Sequence, residues 1–368
     1  MPSILTTFAI NNVPLANRLA VAPMTRVSAT ASGFPTQAMH DYYLRFAEGG
    51  FGLVITEGLY TDETFSQGYR FQPGLANQQQ ALAWAGITQA LQAHGAKVFA
   101  QLMHAGALSQ GNRFCDHPVA PSAVQPRGEQ MSGYYGEGRY QTPRQISPGE
   151  ITEVIQGFVG SAVRAVQVSG FDGVEIHAAN GYLLDQFLCP HTNLRQDSRG
   201  GDIHARASLL VDILRAVRTQ LGTKVPVGIR ISQGKVNDPA YKWPGGMADA
   251  QVIFSALMRA GADFIHVTEP AALRPAFAEG DHSLVALARR FAPKVAIIAN
   301  GGLGSAECAD RALQDGADLV AQGKAALSNP DLPQVYACAG RSRPFDATIL
   351  GPIANIKASE LAFRRQTP

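Results

Sequence analysis

The chain has 368 residues, 46% of them hydrophobic, and a formal net charge of +2. So small a charge, which no run of Lys or Arg concentrates, argues against a nucleic-acid or membrane-surface partner. No stretch approaches the roughly 20 apolar residues that a transmembrane helix needs, and the N-terminus lacks a signal-peptide pattern, so we expect a cytoplasmic protein.

Short apolar runs alternate with helical segments along most of the chain. The runs are typical of strands buried on both faces. The segments between them carry capping signals, such as Thr36 before the first helix and the Ser147/Glu150 pair before the third. The predicted strands span residues 19–24, 52–56, 97–103, 171–176, 225–231, 263–268, 294–299 and 318–321. The predicted helices between them span residues 36–50, 79–94, 147–168, 212–220, 247–260, 283–290 and 305–315.

Two segments fall outside this alternation. Residues 110–148, rich in Gly, Pro, Tyr and Arg, predict a loop excursion over the mouth of the fold and not a linker between domains. Residues 331–368, which include Arg364 and Arg365, are too few to fold alone, so we expect them to pack back against the rest of the chain. We therefore predict a single domain over residues 1–368.

The alternation of strands and helices implies parallel strands joined by right-handed crossovers. Eight such units favour a closed (β/α)8 TIM barrel of the α/β class, with an open doubly wound sheet as the alternative. The active site of such a barrel lies at the carboxyl ends of its strands. Six of the predicted strands lead to polar side chains that could surround one flat polar ligand, namely Thr25, Gln101, His177, Arg230, Asn300 and Lys324.

Metal chemistry is not indicated by the sequence. The four cysteines are scattered at wide intervals and never form a CxxC motif or a Cys/His cluster. No carboxylate pair accompanies the polar strand ends. The sequence therefore predicts no metal site.

The stretch after the fourth predicted strand concentrates chemically useful side chains. His177, Asn180 and Tyr182 follow residues 171–176 closely. They offer two hydrogen-bond donors and a phenol where a parallel strand ends. An ordinary polar loop is the alternative, but the eight-strand count places this loop at the catalytic face.

Two consecutive loops predict a phosphate site. The sequence Asn300-Gly301-Gly302-Leu303-Gly304 follows the seventh strand, and Gly323-Lys324 follows the eighth. Glycines let backbone N–H groups approach a phosphate, and TIM barrels often bind phosphate after strands seven and eight. Simple tight-turn glycines are the alternative.

The motifs of the chain resemble those of one known family over nearly its whole length. They are APMTR at residues 22–26, QLMHAG at 101–106, EIHAANGYLLDQFL at 175–188, PHTNLRQDSRGG at 190–201, IRIS at 229–232, HVTEP at 266–270, NGG at 300–302 and GKAALSNPDL at 323–332. With them the chain resembles the Old Yellow Enzyme family of FMN-dependent ene-reductases.

The resemblance implies an FMN that lies over the barrel mouth and is reduced by NADH or NADPH. Thr25 would contact the flavin O4 side and Gln101 the pyrimidine edge. Arg230 would lie near N1 and O2, where a fixed cation stabilises the negative charge of reduced flavin. The residues implied for cofactor binding are Pro23, Met24, Thr25, Gly58, Gln101, Arg230, Asn300, Gly301, Gly302, Gly323 and Lys324.

The resemblance also implies the catalytic residues. His177 and Asn180 would donate hydrogen bonds to the carbonyl or nitro oxygen of an activated alkene, and Tyr182 would protonate its α-carbon. A phenol with an unperturbed pKa near 10 stays protonated at neutral pH. The implied substrates are enones, enals, maleimides and nitroalkenes, and the implied assembly is a monomer or a homodimer.

The match departs from the family pattern in places. Lys324 stands where the family usually has Arg, and an ammonium lacks the bidentate grip of a guanidinium on phosphate. Thr25 and Val27, together with His177 and Asn180, suggest the branch that carries Thr beside the flavin. Several mouth-loop aromatics could line the substrate pocket, namely Tyr60, Tyr69, Phe71, Tyr134, Tyr135, Tyr241 and Trp243.

Other functions stay open. A flavin barrel could catalyse dienoyl thioester reduction, amine oxidation or isomerisation instead. A Schiff-base aldolase and a non-catalytic flavin-binding barrel are two further alternatives. The sequence does not identify the natural substrate, the preferred coenzyme or the oligomeric state.

Overall fold

The computed structural model describes residues 3–362, so the predicted packing of Arg364 and Arg365 lies outside the described residues. Eight parallel strands form a barrel, which closes because strand eight pairs with strand one, with Val320 opposite Leu19. The predicted (β/α)8 barrel is therefore confirmed, and the open sheet is wrong. A further two-residue strand, Leu59–Tyr60, pairs with strand three. The eight barrel strands span Leu19–Val21, Leu53–Ile55, Lys97–Met103, Gly173–Asn180, Val227–Lys235, Phe264–Thr268, Ala296–Asn300 and Leu319–Gln322.

The barrel interior has an apolar lower layer. The rings of Phe99 and Phe264 pack there with their centroids 5.5 Å apart. Glycines on the neighbouring strands make room for these rings, since a Cβ at Gly173 would lie 2.8 Å from Phe99 and a Cβ at Gly228 would lie 2.4 Å from Phe264. Side chains alternate between the two faces of a strand. The residues two positions after each of these phenylalanines and glycines therefore also point inward. They form a polar layer towards the mouth, made of Gln101, Glu175, Arg230 and His266.

The helices pack outside the barrel, and several of the longer ones begin at a side-chain cap. Thr36 caps the first helix, and Ser147 with Glu150 forms the predicted capping box. The helix before strand five begins at Ile203 and not at residue 212, because Asp202 caps it there. The helices span Gln37–Glu48, Gln78–Ala93, Pro148–Gln167, Leu183–Leu188, Ile203–Leu221, Gly246–Arg259, Leu284–Phe291, Ala306–Gln314, Lys324–Ser328, Leu332–Ala337 and Ala358–Leu361, with 3-10 turns at Gly106–Leu108, Ser132–Tyr134 and Ala347–Leu350. Within residues 3–362, none of the helices combines the length and hydropathy needed to cross a membrane.

The excursion after strand three crosses the mouth of the barrel, as predicted. Two short strands in it, Val119–Ala120 and Arg144–Gln145, pair in parallel. The side chain of Gln110 donates hydrogen bonds to the carbonyls of Met131 and Tyr134, at 2.9 and 3.2 Å. This bracing places the Tyr134 ring at the cavity above the strand ends.

A hairpin near the N-terminus closes the opposite end of the barrel. Its strands, Phe8–Ile10 and Val13–Leu15, pair antiparallel. Ile10 and Leu15 belong to the same apolar cluster as the lower layer of the interior. The hairpin therefore covers the bottom of the barrel and leaves the polar layer facing the mouth.

The segment at residues 347–362 packs back against the barrel beside strand one. Its anchor is Arg26, whose guanidinium pairs with Glu360 at 2.5 Å and donates to the Ala354 carbonyl at 2.9 Å. Arg45 also pairs with Glu360, at 3.1 Å. The Ala354 N–H donates to the Gly133 carbonyl at 2.8 Å, so this C-terminal strap joins strand one to the excursion.

Candidate active site

Two adjoining cavities lie at the carboxyl ends of the barrel strands. The first, here called the mouth cavity, has a volume of about 290 Å³, and the second, the loop cavity, about 440 Å³. The predicted site residues in the mouth cavity are Pro23, Met24, Thr25, Gln101, His177, Asn180, Tyr182, Arg230, Asn300, Gly323 and Lys324. Gly301 and Gly302 line the loop cavity, which shares Asn300, Gly323 and Lys324 with the first.

Gly58 lines neither of these two cavities. Its carbonyl accepts a hydrogen bond from Gln72 at 2.7 Å, and a Cβ at this position would lie 2.5 Å from the sulfur of Met103. Met103 itself lines the mouth cavity. Gly58 therefore makes room for the side chain of Met103. A direct contact between Gly58 and a flavin stays a prediction.

Arg230 presents a fixed cation at the floor of the mouth cavity. Its Nη2 donates to Asn300 Oδ1 at 3.0 Å and to Thr268 Oγ1 at 3.2 Å. Burial lowers the pKa of Arg230, and the nearby Glu175 carboxylate opposes this shift. Its buried Nε has no hydrogen-bond partner within residues 3–362. An unused donor on a cation lining the cavity favours an anionic or carbonyl-rich ligand.

Glu175 is a site residue that the sequence did not reveal. Its fully buried carboxylate accepts hydrogen bonds from Gln101 Nε2 and His266 Nδ1, both at 2.8 Å. Since a carboxylate can only accept, the Gln101 amide nitrogen faces Glu175 and its oxygen stays available to the cavity. Burial lowers the pKa of His266. The sequence did contain one signal for Glu175. It lies two residues before His177 on the same strand, so both side chains are on the inward face.

His177 is a neutral hydrogen-bond donor. Burial, together with the Arg230 charge, holds its pKa well below the usual range. The Ala179 N–H donates to His177 Nδ1 at 3.4 Å, which leaves the proton of the neutral ring on Nε2. His177 lines the mouth cavity, so the arrangement supplies a donor there without a charge.

Tyr182 stands beside His177, with the two rings edge to face at 5.0 Å. Its hydroxyl lies 2.5 Å from the hydroxyl of Tyr69, and the Tyr69 ring packs 4.9 Å from that of Tyr134. Burial raises the pKa of Tyr182, so its phenol keeps its proton at neutral pH. Tyr69 was one of several candidate aromatics, and the structure assigns it this contact.

Asn180 ends strand four, which runs to this residue and not only to residue 176 as predicted. Its backbone is left-handed, with φ of 64°, and its N–H donates to Ser232 Oγ at 2.8 Å. The next N–H, of Gly181, donates to Asp185 at 2.6 Å, and Lys235 pairs with Asp185 at 2.7 Å. This clamp fixes the turn and places Asn180 at the mouth cavity beside His177.

The loop cavity is lined by the glycine backbone of two loops, by Lys324 and by Glu269, whose carboxylate is paired with Lys242 at 2.7 Å. Gly301 has a φ of 124°, which side-chain-bearing residues avoid, and a Cβ there would lie 1.6 Å from the Glu269 carbonyl oxygen. Lys324 is exposed, with its ammonium 5.6 Å from the centre of the Phe345 ring. A glycine-lined recess with an exposed lysine at its rim suits a phosphate group. The described residues contain no cluster of His, Cys, Asp or Glu that could hold a metal ion.

Residues 3–339 match the model of the NADH:flavin oxidoreductase / NADH oxidase family. The chain belongs to this family. Among curated members, it is 32% identical to putative 12-oxophytodienoate reductase 11 of Oryza sativa subsp. japonica, over 90% of this chain and 89% of that protein. It is 33% identical to chanoclavine-I aldehyde reductase of Penicillium roqueforti, over 90% and 88%. It is 30% identical to an NADH oxidase of Thermoanaerobacter brockii over 90% of this chain, which spans half of that relative's length.

Solved structures of family members share the fold. The Old Yellow Enzyme homologue from Zymomonas mobilis superposes with a TM-score of 0.88 at 29% identity, over 99% of this chain and 100% of that one. Morphinone reductase in complex with tetrahydroNAD gives a TM-score of 0.86 at 28% identity, over 99% and 98%. The predicted membership of the Old Yellow Enzyme family is confirmed. The assignment to its Thr-bearing branch stays a prediction.

Family membership makes the chain an NAD(P)H-dependent flavin oxidoreductase of the ene-reductase type, with FMN as its cofactor. The site fits this cofactor on independent grounds. The unused Nε of Arg230 and the free oxygen of Gln101 suit a flavin edge that both accepts and donates hydrogen bonds. The recess at Gly301 lies beside the mouth cavity, as a phosphate tail requires.

Proposed function

We propose that the protein reduces the C=C bond of small activated alkenes, with a carbonyl or nitro group as the activating substituent. The observation that carries this proposal is the grouping of His177, Asn180 and Tyr182 on one wall of the mouth cavity. A neutral imidazole N–H and an amide are donors for an oxygen, and a phenol is a proton source. Such a set serves a reaction in which charge develops on an oxygen while a nearby carbon takes a proton.

The remaining predicted residues are assigned to FMN in this proposal. Gly301, Gly302, Gly323 and Lys324 hold the phosphate, and Asn300 positions Arg230 through its Oδ1. The Gln101 oxygen would accept from the pyrimidine edge of the flavin, and Arg230 would donate to its N1/O2 side. The residues proposed along the flavin near strands one and two are Pro23, Met24, Thr25 and Gly58.

The side chains then divide the chemistry between them. FMN bound at this site would supply hydride-transfer chemistry, with NADH or NADPH as the reductant. His177 and Asn180 hold the substrate oxygen and stabilise the negative charge that develops on it, where one preorganised donor contributes roughly 3 kcal/mol. Tyr182 delivers its proton to the α-carbon. Tyr69, at 2.5 Å from the Tyr182 hydroxyl, stabilises the phenolate that remains.

The names of the relatives support a carbonyl-bearing substrate. They are reductases of 12-oxophytodienoate, of morphinone and of an aldehyde of chanoclavine-I. Location in the cytoplasm, an assembly as monomer or homodimer, and the absence of a nucleic-acid partner remain predictions of the sequence.

The decisive experiment follows the visible absorption of the FMN-loaded protein under anaerobic conditions. We expect NADH or NADPH to bleach the flavin band and cyclohexenone or N-methylmaleimide to restore it. Bleaching that only oxygen reverses would indicate an NADH oxidase instead. An unbleached flavin would indicate a non-catalytic flavin protein.

The oxygen-holding role has its own test in the double variant His177→Ala/Asn180→Ala. We expect the affinity of the oxidised protein for cyclohexenone to fall about 100-fold, since two donors are lost. Bleaching by the coenzyme should still occur, which controls for an intact flavin site. Unchanged affinity for cyclohexenone would rule out the role of these two residues.

A further inference from the structure

A third cavity, here called the rear cavity, lies behind the wall that carries Asn180. Its volume is about 240 Å³. It shares no lining residue with the mouth cavity, although both use the same two turns: Asn180 and Val236 face the mouth, whereas Gly181, Lys235 and Asn237 face the rear. The rear cavity is therefore separate from the proposed substrate site, and only the backbone of these two turns lies between them.

The hydroxyl of Tyr241 is the unexplained group in this cavity. The residue is 9% exposed, and its buried oxygen lies beside the thiol of Cys189, a weak acceptor, but makes no hydrogen bond of good geometry within residues 3–362. Ser122 also lines the cavity, and its oxygen accepts the Leu194 N–H at 2.9 Å while its own O–H is not donated to any described residue. Buried polar groups are normally paired, so a Tyr241 O–H with only a thiol beside it, together with the Ser122 O–H, indicates a place for a stronger acceptor.

The charges around the cavity cancel. Lys235 pairs with Asp185 at 2.7 Å, and its ammonium also lies 4.3 Å from the centre of the Tyr241 ring. At the rim, Arg127 lies 3.6 Å from Asp238. A ligand with a net charge would leave that charge uncompensated in a confined space, which is unfavourable. The cavity therefore selects an uncharged molecule.

We propose that the rear cavity binds a small uncharged compound with one ring and a hydrogen-bond-accepting oxygen. Leu108, Ala120 and Val124 provide apolar contact for the ring, and Tyr241 and Ser122 donate to the oxygen. The cavity is slightly smaller than the roughly 300 Å³ at which ligand pockets usually begin, so it admits about one ring. This site goes beyond the proposed function, because none of its lining residues takes part in the chemistry.

Acetophenone is a suitable probe, because it has one ring and one carbonyl and no alkene to reduce. Its binding to the FMN-loaded protein is measured by titration calorimetry. We expect Tyr241→Phe to weaken binding about fivefold, the effect of one neutral hydrogen bond. Val124→Trp adds an indole to the cavity wall and should abolish binding. Ala123→Trp, at the exposed neighbouring position outside the cavity, should bind like the wild type.

Several outcomes would overturn the proposal. They are the absence of binding heat with the wild-type protein, equal affinity in Val124→Trp and Ala123→Trp, and a change in the flavin spectrum that tracks the heat and so places acetophenone over the flavin. Melting temperatures show whether Val124→Trp folds. If it does not, the comparison of Tyr241→Phe with the wild type decides, since that change removes a single oxygen atom.

Discussion

The strand-four wall and the loops after strands seven and eight face the same mouth, but they are built from different parts of the polypeptide. The wall presents buried side chains, with His177 3% and Tyr182 6% exposed, and they are held by the Ala179 N–H and by the hydroxyl of Tyr69. The loops present the backbone of Gly301, Gly302 and Gly323, together with the exposed Lys324. The wall therefore contributes side-chain functional groups, whereas the loops contribute mainly a backbone surface of a particular shape.

This difference separates two properties of the protein. In the proposed function, side chains of the wall hold the substrate oxygen and supply the proton, so changes there should alter turnover while FMN stays bound. The loops are proposed to hold the phosphate, so changes there should alter cofactor retention while the loaded protein keeps its turnover. The variants below test whether the two properties are as separable as the geometry indicates.

The largest effect is expected from Gly301→Ala. The new Cβ would lie 1.6 Å from the Glu269 carbonyl oxygen, at a φ of 124°, and about 3 kcal/mol of combined strain corresponds to at least 100-fold weaker FMN binding. FMN titration by fluorescence quenching measures the change. Gly304→Ala is the matched control, because its φ is not in the left-handed range. Equal FMN affinity in the two variants would contradict the backbone cradle.

Tyr182→Phe should slow the reoxidation of reduced enzyme by cyclohexenone about 100-fold, the scale of general acid catalysis. Reduction by NADPH should stay within about twofold of the wild type. Stopped-flow absorption measures the two half-reactions separately. Tyr69→Phe keeps the Tyr182 phenol and should cost only about fivefold. A Tyr182→Phe enzyme that reoxidises at the wild-type rate would refute the proton-donor role.

Lys324→Arg should tighten FMN binding about threefold, because a guanidinium can hold phosphate through two hydrogen bonds. Lys324→Gln should weaken it by a similar factor. The side chain is exposed, so salt should diminish both effects. Turnover of the FMN-saturated variants should match the wild type, and a changed turnover would show that the loops and the wall are coupled.

The smallest effect is expected from pH. Because burial and the Arg230 charge hold the pKa of His177 well below its usual range, its Nε2–H stays in place as the pH rises from 6 to 8. The KM for cyclohexenone should therefore stay flat over this interval. A histidinium donor would lose its second proton as the pH rose through its pKa, and KM would increase. A KM that rises across this interval in the wild type but not in His177→Asn would disprove the neutral donor.

The sequence predicted the barrel and its mouth because both depend on simple periodicity. Apolar runs ended in polar residues at regular intervals, and parallel strands bring those ends together. Element limits were less predictable. Strand four continues to Asn180 because strand five runs beside it as far as Lys235, and a pairing between two strands cannot be read from either one alone.

Glu175 and the rear cavity could not be predicted for a similar reason. The carboxylate stands in an apolar run and resembles an irregularity of a buried strand, while its partners Gln101 and His266 come from positions 74 and 91 residues away. Tyr241 was named as a possible aromatic of the substrate pocket, but the structure places it in the rear cavity. Sequence indicates which residues end strands, whereas three-dimensional packing decides on which side of a turn they lie.

The C-terminal strap has a consequence for the order in which the site is made. Glu360 and the Ala354 carbonyl hold the guanidinium of Arg26, the residue directly after Thr25, and Leu350 lines the mouth cavity. All three follow the eight barrel strands in the chain, so they leave the ribosome after the barrel itself. During synthesis the C-terminal strap therefore becomes available only after the barrel strands, and until it packs beside strand one the mouth lacks Leu350 and Arg26 lacks its partners.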